Sequence, residues 1–242
     1  MYKRQVAYID ETGARFKGLP AYTFGISNEY FTRLTTCLRK RKENALSALG
    51  KESDRIKFLI SDDGSNLRGL KKNQQLCWVH EIRKYKLCEV YRSIESETLE
   101  SLVKIWRGFY KQMKNYRLQP SYKKRVKIEF EFDRITSLKT HVRPLDEQLK
   151  RTKKQKKRLL LFLRYPKLDI NSNMIERDLR ERVIKRKISL QNRSESGLKS
   201  WDLMLSLAST CRKIELSFWD YIKDRVHRTE SIHSLGKIIR GL

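Results

Sequence analysis

A chain of 242 residues can hold one good-sized domain with a real core, or one domain carrying an insertion. Lys and Arg number 55 against 28 Asp and Glu, a formal charge of +27 with a pI near 10.1, so the expected partner is a polyanion, nucleic acid first and a membrane surface second. A spanning helix is excluded, because the longest apolar run, residues 159–163, falls far short of about 20 residues.

The first predicted element is a strand, Gln5, Val6, Ala7, Tyr8 and Ile9, which runs straight into Asp10, Glu11, Thr12 and Gly13. The glycine and basic residues after it read as a turn. Residues 22–27 and 30–37 read as two further strands joined at Asn28 and Glu29, so an antiparallel meander follows the first strand. A helix over residues 42–49, apolar at Ala45, Leu46, Ala48 and Leu49, carries the chain back to a strand at Ile56. A right-handed crossover makes that strand parallel to the first.

The strand from Ile56 through Phe58, Leu59 and Ile60 stops abruptly at Ser61, Asp62, Asp63 and Gly64. It reads as a buried strand delivering a carboxylate to its own carboxyl end, the edge at which α/β sheets bind ligands. Alternation puts Asp62 on the face of Ile56, Phe58 and Ile60, while Asp63 points the other way and can cap the turn or the helix at Asn66. Residues 66–72 are predicted as a short helix and residues 75–79 as a last strand.

Cys77 and His80 could seed a zinc site with Cys88, but three ligands without a second pair at ligand spacing make a poor zinc centre. Cys77 therefore reads as a small buried strand residue, and His80 as the first polar residue after it, near the active edge. The four cysteines, Cys37, Cys77, Cys88 and Cys211, show no paired spacing and fit a reducing compartment. The first residues carry no signal-peptide core, so a cytoplasmic, nucleoid-associated protein is expected.

From residue 81 to about 117 the periodicity turns helical, through Leu99, Leu102, Ile105, Trp106, Phe109, Tyr110 and Met113. Pro120 breaks it, and helical stretches over 122–138 and 145–163 follow. The second of these contains a basic run at 150–158, including Lys153 and Lys154, which reads as a DNA-facing surface or as a solvated cationic face. A further helix opens after Pro166. With Asn173 as its N-cap, Glu176 falls at N3, and Ile175, Leu179 and Val183 form the inward stripe. Glu176 then stands beside the buried face, turned about 100° from Ile175. Arg177, Arg180, Arg182, Lys185, Arg186 and Lys187 flank it on the same helix. Residues 192–197 read as a loop, and 198–214 as a helix apolar on two sides that covers a face of the sheet. Residues 218–226 read as a short amphipathic helix, and the tail beyond Arg228 as polar and loose.

Asp10 with Glu11, Thr12 and Gly13, then Ser61, Asp62 and Asp63 with Trp78 and His80, then Asn173, Glu176, Arg177, Asp178 and Arg180 resemble the successive signatures of the insertion sequence 66 family of transposases. The agreement runs from about Val6 to Val226. Met174 and Ile175 replace the small residues commonly found before the Glu-Arg pair, and the family's usual upstream domains are missing. The resemblance implies a ribonuclease H-like mixed five-stranded α/β sheet with flanking helices and a large helical insertion. It divides the chain into a first core part at 1–80, an insertion at 81–165, a second core part at 166–228 and a basic tail at 229–242.

The resemblance also implies a catalytic and metal-binding triad at Asp10, Asp62 and Glu176, with Asn173 and His80 nearby. Two Mg2+ or Mn2+ ions suit such an all-oxygen site. The expected reaction is cleavage at transposon ends and strand transfer into target DNA, with Arg177, Arg180, Lys185, Arg186, Lys187, Lys153 and Lys154 on the DNA. A homodimer in a synaptic complex and accessory proteins encoded by the element are further partners in view. The competing expectation is a truncated or inactive remnant that only binds DNA, because the chain begins almost at the first catalytic strand. Each acid also has a structural reading as a turn or cap residue, Glu176 as the capping-box partner of Asn173.

Overall fold

The computed structural model describes residues 5–241, and of residues 51 and 52 only the backbone. The stretch read for a signal peptide, residues 1–4, lies outside them. Five strands form one mixed sheet in the order β3-β2-β1-β4-β5: β1 (Val6–Phe16), β2 (Leu19–Ser27), β3 (Thr32–Cys37), β4 (Phe58–Ser61) and β5 (Gln74–Leu76). The helices are α1 (Lys42–Leu49), α2 (Trp78–Lys86), α3 (Ser93–Leu118), α4 (Tyr122–Thr136), α5 (Arg143–Lys154), α6 (Lys156–Leu159), α7 (Asn173–Ser189), α8 (Glu195–Lys213), α9 (Phe218–His227) and α10 (Leu235–Gly241). The chain divides into two compact units. Among the described residues, one comprises 5–59, 64–71 and 172–241, the other 60–63 and 72–171.

In the first unit, β1 pairs antiparallel with β2 from Tyr8 opposite Ser27 to Phe16 opposite Leu19. The strand thus runs on where the sequence suggested a turn after Gly13. The ladder outweighs one interior glycine, and the reversal falls at Lys17 and Gly18, both at positive φ (48° and 79°), as a two-residue hairpin turn requires. Asn28 closes the next turn, its Oδ1 accepting from the N–H groups of Tyr30 and Phe31 at 2.8 and 3.0 Å.

Alternation then sorts the sheet into two faces. Ala7, Ile9, Phe24, Ile26 and Leu59 pack with Ala45, Ala48 and Leu49 of α1. The opposite face of β1 and β2 is covered by α7. The helix predicted over residues 66–72 is absent, since Gly64 accepts from Leu67 and Arg68 in a single turn and Gly69, at φ +69°, leaves the helical region at once.

Helix α8 was expected to cover a sheet face with an apolar side; at its start Leu198 does pack on Ala14, Phe16 and Ala21, but further along a polar side meets the sheet. Its polar stripe Asp202, Ser206 and Thr210 lies along the edge strand β3. Thr36 N–H donates to Asp202 Oδ2 (2.6 Å), Leu34 N–H to Ser206 Oγ (2.9 Å) and Thr32 N–H to Thr210 Oγ1 (3.1 Å). Three acceptors four residues apart meet every second amide of the strand, so an edge that would invite another strand is closed. The other side of α8 packs through Leu207 and Cys211 with Tyr221 of α9 and Leu235 of α10.

The tail is therefore not loose. Asp224 Oδ1 accepts from Thr229 Oγ1 (2.6 Å), Ser231 N (2.8 Å) and Ser231 Oγ (2.7 Å), tying the α9–α10 connection together.

In the second unit, residues 78 and 79 belong to α2 and not to a strand. Burial decides this: the Trp78 ring is 0% exposed and meets Trp106, Phe109 and Phe132 at centroid distances of 5.6, 5.4 and 6.1 Å, while its Nε1 donates to Leu159 O at 2.8 Å. A large aromatic that finds both a packed cluster and a hydrogen-bond acceptor overrides its strand preference. The predicted helical stretches are realised in pieces: residues 81–117 as the end of α2 and, after a break at 87–92, α3, with Pro120 just after it; 122–138 as α4; and 145–163 as α5, α6 and a 3-10 turn at Leu161–Leu163. No helix among the described residues is long and apolar enough to cross a membrane, and Cys37, Cys77, Cys88 and Cys211 are all free thiols.

Candidate functional site

Asp10 lies in the middle of β1, opposite Gly25 of β2. Directly opposed residues on antiparallel strands project to the same face, so the space above Gly25 shows where the Asp10 side chain points. A Cβ at Gly25 would stand 2.8 Å from Ile175 Cδ1 and 3.0 Å from Leu179 Cδ2. Asp10 therefore faces α7, and the turn of α7 over its cross-strand partner is the one that carries Glu176. A Cβ at position 25 would force the Ile175 and Leu179 side chains to shift. Asp10 is 9% exposed, and its Oδ1 accepts from the Glu11 amide at 2.8 Å.

The rest of α7 follows β1 in register. Arg182 reaches Thr23, the partner of Thr12, and Arg186 donates to Gly13 O. The inward stripe is therefore Ile175, Leu179, Arg182 and Arg186. Arg182 replaces the predicted Val183 and is 3% exposed, so it is not a DNA-facing cation. Its Nε donates to Thr23 Oγ1 at 2.9 Å and its Nη2 to Thr36 Oγ1 at 3.2 Å, with Asp202 Oδ1 at 3.9 Å. Asp178 holds the other side of the helix, accepting from Thr32 Oγ1 (2.8 Å) and Lys213 Nζ (2.7 Å).

These buried ions titrate against their charges. Burial pushes Asp202 up despite its bonds to Thr36 and the nearby Arg182, and pushes Arg182 and Lys213 down despite Asp202 and Asp178. Desolvation thus outweighs attraction, and such pairs fix geometry more than they add stability. What they fix here is α7 against β2, β3 and α8. The sequence signal for Arg182 was present, since it lies seven residues after Ile175 on the same helical stripe. The charge alone pointed it outward.

The capping box read for Asn173 does not form. Ser172 is the N-cap and Asn173 the first helical residue, so Glu176 sits one position deeper in the first turn. Its Oε1 accepts from Ser172 Oγ at 3.0 Å. A carboxylate there is favoured by the helix N-terminus. Asn173 itself is exposed.

Asp62 follows directly after β4 and belongs to the second unit, whereas Asp10 and Glu176 share the first. Ser61 before it is fully buried, its Oγ donating to Asp62 O at 2.7 Å. Asp63 is engaged inside its own unit by Arg158 Nη1 (2.9 Å) and Lys84 Nζ (3.8 Å). Cys77 N-caps α2, and its Sγ lies within 4.8 Å of a His80 ring nitrogen. Of the expected DNA contacts, Arg177, Arg180, Lys187, Lys153 and Lys154 are exposed. Lys185 is half-buried with its Nζ 4.4 Å above the Trp201 ring, and Arg186 is half-buried on Gly13.

The turn that carries the half-buried Glu176 thus lies over the cross-strand partner of a sheet-centre aspartate, in a strongly basic chain. The chain belongs to the IS66 family of transposases, whose profile, described as Transposase IS66 family, matches residues 1–200. It is also similar to the uncharacterized protein y4jO of Sinorhizobium fredii (strain NBRC 101917 / NGR234), at 36% identity over 171 residues, which cover 69% of this chain and 52% of that protein. The chain thus spans about half the length of the curated relative it matches.

Proposed function

We propose that this chain carries a ribonuclease H-like catalytic core of the DDE type, with Asp10, Asp62 and Glu176 as the acids, and that it cleaves transposon ends and joins them to target DNA. The observation that carries the reading is the seating of the Glu176 turn of α7 on Gly25, the cross-strand partner of Asp10, in a chain of a transposase family. Carboxylate oxygens fit Mg2+ or Mn2+, which take oxygen ligands and keep part of their water. Two such ions, when bound, activate the attacking oxygen and stabilise the leaving oxygen of an in-line displacement.

The chain's own residues do the positioning. Asp10 is held rigid in a paired strand, and Glu176 is held by the clamps of Arg182 and Asp178. Asp62 is the third acid in this reading, because Asp63 is committed to Arg158 and Lys84. Arg177, Arg180 and Lys187 offer exposed charge along α7 for the phosphate backbone.

The test is plasmid nicking in Mg2+ or Mn2+ by the parent, Glu176→Gln, Asp10→Asn, Asp62→Asn and Asp63→Asn. Gln at 176 can still accept from Ser172, so that variant keeps its fold. We expect cleavage to collapse in the first three variants and to persist in Asp63→Asn, with DNA binding equal or tighter in Glu176→Gln. Near-parental cleavage by Glu176→Gln sinks the triad, while no cleavage by the parent favours a remnant that only binds DNA.

A further inference from the structure

Helix α4, in the second unit, gives one side to the core and leaves the other in water. Ile128, Phe132 and Ile135 are buried, and the Phe132 ring joins the cluster of Trp78, Trp106 and Phe109. Two residues along a helix turn by about 200°, so Val126 and Phe130 point nearly opposite to Ile128 and Phe132. The exposed residues of the helix are Tyr122, Lys123, Val126, Lys127, Phe130 and Arg134. Tyr122 is 80% exposed and Phe130 69%, so two aromatic rings and a valine stand in one row at four-residue steps. Scattered exposed apolar residues are ordinary, whereas a row rimmed by charge marks an interaction surface.

The rim has one sign. The three acids of α4 are half-buried, and each already holds a cation. Glu129 accepts from Arg125 Nε at 3.1 Å, Glu131 from Arg134 at 2.8 and 2.7 Å, and Asp133 from Lys156 Nζ at 2.7 and 2.6 Å. Lys123 and Lys127 stand beside Tyr122 and Val126 and form no ion pair among the described residues. A second copy of the chain would bring the same cations to this face and no unpaired acid to meet them, which disfavours self-association here. Charge complementarity calls instead for a polyanion that also offers flat apolar surfaces.

A DNA duplex keeps its base faces stacked and shows only base edges in its grooves, and the outward side of α4 has no Asn or Gln to read an edge. Its one exposed Arg, Arg134, is held by Glu131. Unpaired nucleotides, by contrast, offer the faces of their bases, and aromatic rings interleaved with cations hold such strands with little regard to sequence. Tyr122 and Phe130 are eight residues apart, about 12 Å along the helix, against about 3.4 Å between neighbouring bases of a stacked strand. The two rings therefore suit separate bases of a strand that is already unstacked.

We propose that the outward side of α4 is a docking surface for unpaired DNA nucleotides, with Tyr122 and Phe130 stacking on bases, Val126 packed between them, and Lys123 and Lys127 on the phosphates. That the strand is DNA rests on the proposed function; the surface itself rests on its rings and charges.

The experiment measures the affinity of the full chain, by fluorescence anisotropy, for a short mixed-sequence DNA single strand, its blunt duplex and the RNA strand of the same sequence. The variants are Tyr122→Ala with Phe130→Ala, Tyr122→Phe with Phe130→Trp, and Lys123→Gln with Lys127→Gln, all on exposed side chains, with thermal unfolding as the check on the fold. We expect the alanine pair to bind the single strand about tenfold or more weakly, with duplex affinity and salt slope kept, and the aromatic pair to bind like the parent. The glutamine pair should weaken both DNA ligands and lower the single-strand salt slope by about 1.4. Photocrosslinks from a bromodeoxyuridine strand should map to Tyr122 or Phe130. An alanine pair that loses nothing, or loses strand and duplex equally, overturns the surface. So does one that keeps the strand but loses binding to phosphatidylserine vesicles or loses a dimer in sedimentation, which would assign the row to a membrane or to a second copy. RNA bound about tenfold tighter than DNA overturns the assignment to DNA. A parent that does not nick plasmid counts against the proposed function, and the single-strand titration still decides this surface.

Discussion

Replacing Gly25 by alanine perturbs the one place where α7 touches the sheet beside Asp10. The new methyl carbon would stand 2.8 Å from Ile175 Cδ1 and 3.0 and 3.2 Å from Leu179 Cδ2 and Cγ, where carbons prefer about 3.5–4.0 Å. The helix or its two side chains must give by about 0.5–1 Å on that contact distance. Simple retreat is blocked, because Arg182 is bonded to Thr23 and Thr36, and Asp178 to Thr32 and Lys213. Overpacking of this kind costs about 1–3 kcal/mol, which for a chain of this size lowers the melting temperature by about 2–12 °C.

The same displacement falls on the turn of Glu176. A misplacement near 1 Å slows a positioned reaction by about a hundredfold, so Gly25→Ala should fold, melt earlier and nick plasmid far more slowly, with DNA affinity kept. Thermal unfolding by circular dichroism and the nicking assay read both effects. Parental stability together with a parental rate would refute the packing of α7 on Gly25.

The remaining expectations concern the elements around the site. Ser206→Ala leaves the Leu34 amide without its acceptor, at a cost of about 1–3 kcal/mol. Hydrogen exchange at Leu34 should rise well above that at its neighbours, and unchanged protection would show that α8 does not close the edge. Asp224 is held well below its ordinary 3.8 by bonds from Thr229 and Ser231. A depressed acid stabilises the fold above its unfolded value and loses that contribution as pH falls through and below it. Proteolysis of residues 228–241 should therefore quicken as pH drops below about 4, and Asp224→Asn should cleave fast at every pH. A parent equally resistant at pH 3 and pH 7 would contradict the tie.

Much of the first unit is legible from local pattern. The apolar runs before Asp10 and before Ser61 mark buried strands, and α1 begins and ends where the Ala45 and Leu49 periodicity put it. Asp10 and Glu176 stand out because an acid that follows an apolar run or opens a helix is a local feature. The sequence also shows that the chain is basic throughout, since charge does not depend on the fold. What it could not show is which way a long polar side chain turns when two elements compete for it. Arg182 looks like a surface cation and becomes buried, because Thr23, Thr36 and Asp202, brought from three other elements, supply the partners that make burial tolerable. Trp78 looks like a strand residue and starts a helix, because Trp106, Phe109 and Phe132 from distant segments form its pocket. The stripe of Asp202, Ser206 and Thr210 has no meaning until β3 lies beside it. These are non-local pairings, set by packing between segments more than a hundred residues apart in several cases, and the tertiary structure alone decides them.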